Sequence, residues 1–245
     1  MDTILIIGAK SDMAQALARK YATAGYDLIL AARDSQSLTE FAGDLKIRYE
    51  VSVESIDCDI LDLKACENLY RDLPNAPSGV ICAVGYLGEQ SLAQTNSDEA
   101  RKIMDTNFTG PAQFLDFIAR DFELRSKGFI VGISSVAGDR GRKSNYFYGA
   151  AKAGFTTYLS GLRNRLSDKN IQVLTVKPGF VQTQMTAHLT LPPRLTASAE
   201  KAANDIFKAQ QKGRNVCYTL GIWRWIMMVI KLIPEGMFKK MSIGK

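Results

Sequence analysis

Residues 3–14, TILIIGAKSDMA, decide the fold of this 245-residue chain. Thr3 to Ile7 is a short apolar run rich in β-branched side chains, as in a strand buried on both faces of a parallel sheet. It stops at Gly8. Beyond the turn, Met13, Ala14, Leu17, Ala18 and Tyr21 recur at helical spacing, and Gly25 stands where a helix-ending glycine belongs. A second apolar strand, DLILAA from Asp27 to Ala32, follows at once. Outward from there the alternation predicts a helix over 35–46, a strand over 51–56, a helix over 63–73 and a strand over 79–84. A long helical stretch over about 97–125, a strand over 129–134, a helix over 145–167 and a strand over 171–176 complete it. Such succession joins parallel strands by right-handed crossovers, with helices on both faces. The expectation is a single α/β domain over residues 1–220, doubly wound around a parallel sheet of about seven strands. The Thr-rich stretch over 182–198, with Pro192 and Pro193 in tandem, breaks the rhythm and is expected to be a functional loop.

Composition narrows the class. With 46% hydrophobic and 23% charged residues the chain has material for a sizeable core, which excludes disordered, collagen-like and coiled-coil readings. No apolar run approaches the roughly 18–20 residues of a membrane span, and MDTILIIGAK lacks the features of a signal peptide, so Met1 is expected to start the mature chain. Cys58, Cys66, Cys82 and Cys217 form no C-x-x-C pair, and His188 is the single histidine. These point to a reduced, cytoplasmic compartment and no structural metal.

The formal charge of +6 has a location. Residues 1–199 hold 22 basic and 22 acidic residues, whereas 200–245 hold 9 basic and 3 acidic ones. In the extension over 221–245, Trp223, Trp225 and large aliphatics interleave with Arg224, Lys231, Lys239 and Lys240. That pattern suits a membrane-surface segment. A helix packed on its own domain or on a sister subunit fits it equally well. Nucleic acid fits poorly, because the aromatics lie among aliphatics and not along a basic groove.

A strand, then GAKSDMA, then a helix exposes backbone N–H groups and the positive end of a helix dipole to an anion, the arrangement that holds a dinucleotide pyrophosphate. Gly8, Lys10, Ser11, Asp12 and Met13 make the candidate cradle. Of the three glycines of a G-x-x-x-G-x-G turn, only Gly8 is kept, with Asp12 and Ala14 at the other positions. Asp12 repels phosphate unless it turns aside or caps the helix. At the end of the second strand Ala32 is neutral and Arg33 follows, a pattern that favours a 2′-phosphate over a free ribose hydroxyl. NADP(H) is therefore preferred, with NAD(H) as the alternative, and Lys10 is a second cation for that phosphate. The competing account of Arg33 is a solvated strand end or a pair with Asp34.

The stretch GISSVAGDRGRKSNYFYGAAKAG sets Ser135 thirteen residues before Tyr148, and Tyr148 four before Lys152. Residues i and i+4 share a helix face. A phenol with an ordinary pKa near 10 is a poor acid–base catalyst at neutral pH unless a cation favours its phenolate. At ~4 Å such a cation contributes about 4 kcal/mol. The spacing therefore predicts a Tyr148 phenol drawn down towards neutrality by Lys152.

With these residues the chain resembles the short-chain dehydrogenase/reductase superfamily, from Thr3 to at least Thr183. The likeness rests on the Ser135, Tyr148 and Lys152 spacing, Asn107 in MDTNFTGP, Asp59 in CDI, and PGFVQT from Pro178 to Thr183. It implies a Rossmann fold and an NAD(P)-dependent oxidoreductase acting on CH–OH groups. Tyr148 is then the proton donor or acceptor, Ser135 orients the carbonyl, Lys152 also binds the nicotinamide ribose, and Asn107 holds a relay water. Asp59 meets the adenine, and Val181 and Thr183 meet the carboxamide. Ala83, Gly85, Pro178 and Gly179 also line the cofactor. Cys82, Ala83 and Val84 replace the family's N-N-A while Gly85 remains. The resemblance further implies a homo-oligomer, a dimer or a tetramer.

Within the superfamily, SSVAGDRGRKSNYFYG, PGFVQTQMTAHL and RWIMMVIKLIPEGMFKK resemble the reductases that work with decaprenylphosphoryl-ribose epimerase. This implies a lipid-linked keto sugar as substrate and peripheral contact with the inner face of a membrane. Arg140, Arg142 and Lys143 either face the substrate phosphate or form a solvated loop. A reductase of a soluble ketone or 3-oxoacyl substrate is the enzymatic alternative. A nucleotide-binding scaffold is the non-enzymatic one.

Overall fold

The computed structural model describes residues 2–187 and 189–241. His188 lies outside the described residues. The chain alternates β1 (Thr3–Ile7), α1 (Asp12–Thr23), β2 (Asp27–Ala32), α2 (Thr39–Tyr49), β3 (Val53–Asp57), α3 (Leu63–Arg71) and β4 (Gly79–Cys82). It continues with a short α4 (Gln90–Ala93), α5 (Ser97–Met104), α6 (Gly110–Arg125), β5 (Gly128–Ile133), α7 (Tyr146–Arg165) and β6 (Ile171–Pro178). After these come β7 (Phe180–Gln182), β8 (Thr196–Ser198), α8 (Ala199–Gln211), β9 (Val216–Thr219), α9 (Ile222–Leu232) and α10 (Glu235–Phe238).

Seven parallel strands form one sheet in the order β3-β2-β1-β4-β5-β6-β9. The alternation of the apolar strands divides their side chains between two cores. Ile4, Ile6, Leu28 and Leu30 meet Leu17 and Tyr21 of α1 and Ile206 of α8 on one face. Leu5, Ile7 and Val80 meet Phe114, Ile118 and Phe122 of α6 and Phe155 and Leu159 of α7 on the other. Strand order reverses between β1 and β4, and it is outside the carboxyl ends of strands at such a point that open α/β sheets bind ligands.

Three departures from the expected pattern bear on the site. The helical stretch over 97–125 is interrupted by a five-residue π turn over 105–109, and Asn107 sits in it, fully buried. The segment over 182–198 is less of a free loop than expected: β7 and β8 pair in parallel on either side of it, with 3₁₀ turns over 184–186 and 193–195. Past it, α8 and the edge strand β9 return the chain to the sheet beside β6.

Candidate active site

The turn between β1 and α1 is set by Gly8. Its φ of +82° belongs to the left-handed region, and a Cβ there would lie 2.9 Å from backbone atoms of Ala83 and Val84. Only glycine meets both demands. The Gly8 and Ala9 amides donate to the Ala31 carbonyl at 2.9 and 3.1 Å, so the turn is locked to β2 as well. Ser11 caps α1, its Oγ accepting from the Ala14 amide at 3.3 Å, and Asp12 and Met13 form the first turn of the helix behind it. Asp12 turns aside, accepting the Gln184 amide on Oδ2 at 2.7 Å. This resolves its conflict with a phosphate by linking the turn to the segment over 182–198.

At the end of β2 the alternative in which Arg33 pairs with Asp34 is not formed. Lys10 Nζ takes Asp34 at 2.9 Å and, by that hydrogen bond, holds the carboxyl below its usual range. Arg33 is exposed, without an ion pair among the described residues. Asp57, which the sequence did not single out, accepts from the Ser35 amide and hydroxyl at 2.9 and 3.1 Å and fixes the bend carrying Arg33. Asp59 shapes the turn after β3 by accepting the Leu61 amide at 3.1 Å.

The candidate reacting centre is built by β5, the π turn and α7. Ser135 leaves β5 as the cap of a 3₁₀ turn, its Oγ accepting the Ala137 amide at 3.1 Å. One turn beyond Tyr148 on α7, Lys152 is 2% exposed and donates to the carbonyls of Val84 and Ile133 at 3.2 and 3.1 Å. Ser134 braces that turn of helix by donating to the Lys152 carbonyl at 2.8 Å. Asn107 grips both polar groups of the Tyr86 backbone, Nδ2 donating to its carbonyl at 2.6 Å and Oδ1 accepting its amide at 3.1 Å. Gly85 is the meeting point: a Cβ there would lie 3.5 Å from Met185 Cε, 3.6 Å from Asn107 Oδ1 and 3.8 Å from Lys152 Nζ. Met185 thus closes the centre from the side of the 182–198 segment.

The electrostatics correct the expectation for Tyr148. Burial pushes the phenol up to about 12, with the nearby Ser135 hydroxyl opposing it, and Lys152 does not draw it to neutrality. The ammonium lies 5.8 Å from the centroid of the Tyr148 ring and is engaged by backbone carbonyls. Burial also lowers Lys152 to about 8, because the low-dielectric surroundings disfavour its charge.

Behind this centre, Pro178 ends β6, Gly179 follows, and Val181 is buried in β7. Thr183 exchanges a capping box with Thr186, so its side chain is used within the segment. At Gly179 a Cβ would fall 2.0 Å from Trp223 Nε1, which donates to the Leu195 carbonyl at 3.0 Å. Asp139 pairs with Lys177 at 2.5 Å and accepts the Tyr218 hydroxyl at 3.0 Å. Neither residue was singled out from the sequence; the lone acid in the cationic GDRGRK stretch was the available signal. Arg140 neither faces a cleft phosphate nor stands solvated. It pairs with Glu235 at 2.6 Å and lies 4.2 Å from the Phe238 ring centroid. A cavity of about 920 Å³ between α1 and residues 182–200 shares Asp12 and Thr183 with the site but contains none of Ser135, Tyr148 and Lys152.

The open turn at Gly8, the helix end behind it and the Ser135–Tyr148–Lys152 group are the candidate parts of a dinucleotide-dependent site in an α/β fold. Residues 2–193 match the family described as short chain dehydrogenase. An uncharacterized oxidoreductase of Mycobacterium tuberculosis is 32% identical over 241 residues, 97% of this chain and 96% of the relative. The NADP-dependent 3-hydroxy acid dehydrogenase of Schizosaccharomyces pombe is 30% identical over 189 residues, 75% of this chain and 73% of the relative. A solved short-chain dehydrogenase from Sphingobium yanoikuyae in complex with NADPH has the same fold, with a TM-score of 0.83 and 24% identity over 100% of this chain and 98% of the other. The chain belongs to the short-chain dehydrogenase family, whose members bind NAD(P).

Proposed function

We propose that the chain is an NADP(H)-dependent carbonyl reductase, running as an alcohol dehydrogenase in reverse, with Ser135, Tyr148, Lys152 and Asn107 at its reacting centre. The carrying observation is the convergence on Gly85 of Lys152, one helical turn from Tyr148, and Asn107.

The residues present fit a nicotinamide dinucleotide. The positive φ at Gly8 leaves its turn without a side chain, and Asp12 is engaged by the Gln184 amide. Gly8 and the backbone amides of Ser11, Asp12 and Met13 hold the pyrophosphate in this reading, Lys10 and Arg33 the 2′-phosphate, and Asp59 the adenine end. Ala83, Gly85, Pro178, Gly179, Val181 and Thr183 line the nicotinamide end. When bound, the cofactor supplies the hydride for the carbonyl carbon. Tyr148 remains a protonated phenol at neutral pH and donates its proton to the carbonyl oxygen. Ser135 Oγ orients that oxygen. Lys152, still cationic below about pH 8, stabilises the phenolate left behind and binds the ribose hydroxyls. Asn107 fixes the Tyr86 backbone at the floor of the cleft and holds the relay water.

The preferred substrate is a lipid-linked keto sugar, a reading supported by the three segments quoted above and by the apolar, cationic extension over 221–245. Residues 182–198 act as its lid. A soluble 3-oxo acid is the second reading, favoured by the likeness to the yeast 3-hydroxy acid dehydrogenase. The chain works in the cytoplasm as a homo-oligomer joined through α5–α6 and α7. NADPH oxidation with a polyprenyl-phosphate keto sugar in micelles, set beside a soluble 3-oxo acid, tests the choice. A higher kcat/KM for the lipid substrate supports the first reading, and turnover of the soluble acid alone replaces it with the second. Failure of every carbonyl to react would leave a nucleotide-binding scaffold.

A further inference from the structure

We propose that the outer face of α9 docks this protein on an anionic lipid surface. The sequence left two accounts of this segment open, and the helix divides between them. Its inner face belongs to the domain: Trp223 and Met227 are buried with Val136, against Phe180, Leu195, Tyr218 and Leu220. The opposite face is the one a soluble domain makes polar. Here it carries Trp225, Met228, Val229 and Leu232, with Trp225 58% and Leu232 75% exposed, and Ile222 at its start. Helical spacing puts these four on one stripe, and it puts Arg224 and Lys231, seven residues apart, together along one edge of it. Met237 and Met241 extend the exposed apolar surface beyond the helix.

Charge selects the occupant. Residues 222–241 contain Arg224, Lys231, Lys239 and Lys240 against a single acid, Glu235, and that acid is already paired with Arg140. A two-fold contact with a second copy would bring these cations against their own counterparts, since such contacts use the same patch twice. An anionic bilayer presents the complementary charge and accepts the apolar stripe in its interfacial region. Trp225 suits that depth, with an apolar ring and an N–H for the headgroups. The inner face holds Gly179 and Leu195 through Trp223, so a bilayer seated on α9 lies beside the loops that frame the cleft. The docking rests on the surface of α9 alone and is independent of which carbonyl the enzyme reduces.

The test is co-sedimentation of the full chain with vesicles of phosphatidylcholine alone and of phosphatidylcholine with 30% phosphatidylglycerol, with tryptophan emission recorded in parallel. Binding to the anionic vesicles, a blue shift retained in Trp223→Phe, and at least tenfold weaker binding in Trp225→Ser/Leu232→Ser with an unchanged unfolding temperature are expected. Sedimentation with neither vesicle overturns the proposal. So does a chain whose dimer dissociates in Trp225→Ser/Leu232→Ser without vesicle binding by the wild type, since the face would then be an interface between copies. Equal binding to both vesicles overturns the role given to charge.

Discussion

Lys152 lies with its ammonium 5.8 Å from the centroid of the Tyr148 ring, held there by the carbonyls of Val84 and Ile133. The pair shares a helix face, yet the lysine spends its donors on backbone, and burial decides both proton affinities. A phenol raised to about 12 is a proton donor across neutral pH and accepts a proton only under alkaline conditions. Carbonyl reduction is therefore expected to be flat from pH 5 to 7 and to fall as Lys152 loses its charge around pH 8, whereas oxidation of the corresponding alcohol rises from pH 7 to 10. Profiles of kcat/KM in the two directions check this; a flat oxidation profile would contradict it.

Lys152 also couples stability to pH. Its folded-state value of about 8 lies below the ordinary 10.5, so between these values the unfolded chain binds more protons and this group favours folding increasingly as pH rises. The unfolding free energy of wild type should gain on that of Lys152→Met from pH 8 to 10, by up to about 3 kcal/mol. Denaturant titrations of both proteins at pH 7, 8.5 and 10 measure the difference. A constant gap would show that Lys152 titrates normally.

Cofactor preference is expected to follow charge at the end of β2. Arg33→Ala should weaken NADPH binding by about tenfold or more and leave NADH unchanged, a loss of roughly 1.4 kcal/mol or more for a charge-assisted contact. Lys10 is engaged by Asp34, and Asp34→Asn is expected to tighten NADPH severalfold by freeing it. Nicotinamide fluorescence titrations follow all three proteins.

Much of this was legible in the sequence. The strands β1 and β2 and the shared face of Tyr148 and Lys152 follow from local periodicity, which survives folding because each element buries its own stripe. What was not legible depends on distant partners. Spacing puts Lys152 beside Tyr148 but does not reveal the carbonyls that take the ammonium. Arg140 meets Glu235 across 95 positions of sequence, and Asp12 meets Gln184 across 172. The short edge strand β9 was missed because four residues with an exposed Val216 at the start give little alternation to detect.

Gly179 and Gly161 give a contrast between two glycines. Gly179→Ala puts a methyl group into the Trp223 indole and is expected to cost about 1–3 kcal/mol and shift tryptophan emission to the red. Gly161→Ala, on α7 with nothing near its Cβ, should add about 0.5–1 kcal/mol. Thermal unfolding and emission spectra of the two variants distinguish them.

Asp139 and Lys177 form a pair with side chains 5% and 11% exposed. Removing one partner leaves the other charge buried, so Asp139→Ala is expected to cost about 3–5 kcal/mol. The double replacement Asp139→Leu/Lys177→Met should recover most of it. Urea unfolding of the single and double variants measures the coupling.

Tyr148, the proposed proton donor, is tested most directly by removing its hydroxyl. Tyr148→Phe keeps the ring and its packing and removes only the hydroxyl. NADPH binding and NADPH oxidation should be measured side by side in wild type and this variant over a panel of ketones. Binding within a few-fold of wild type with turnover lower by at least about 100-fold is the expected result. Equal turnover in the two proteins would contradict the assignment of the reacting centre.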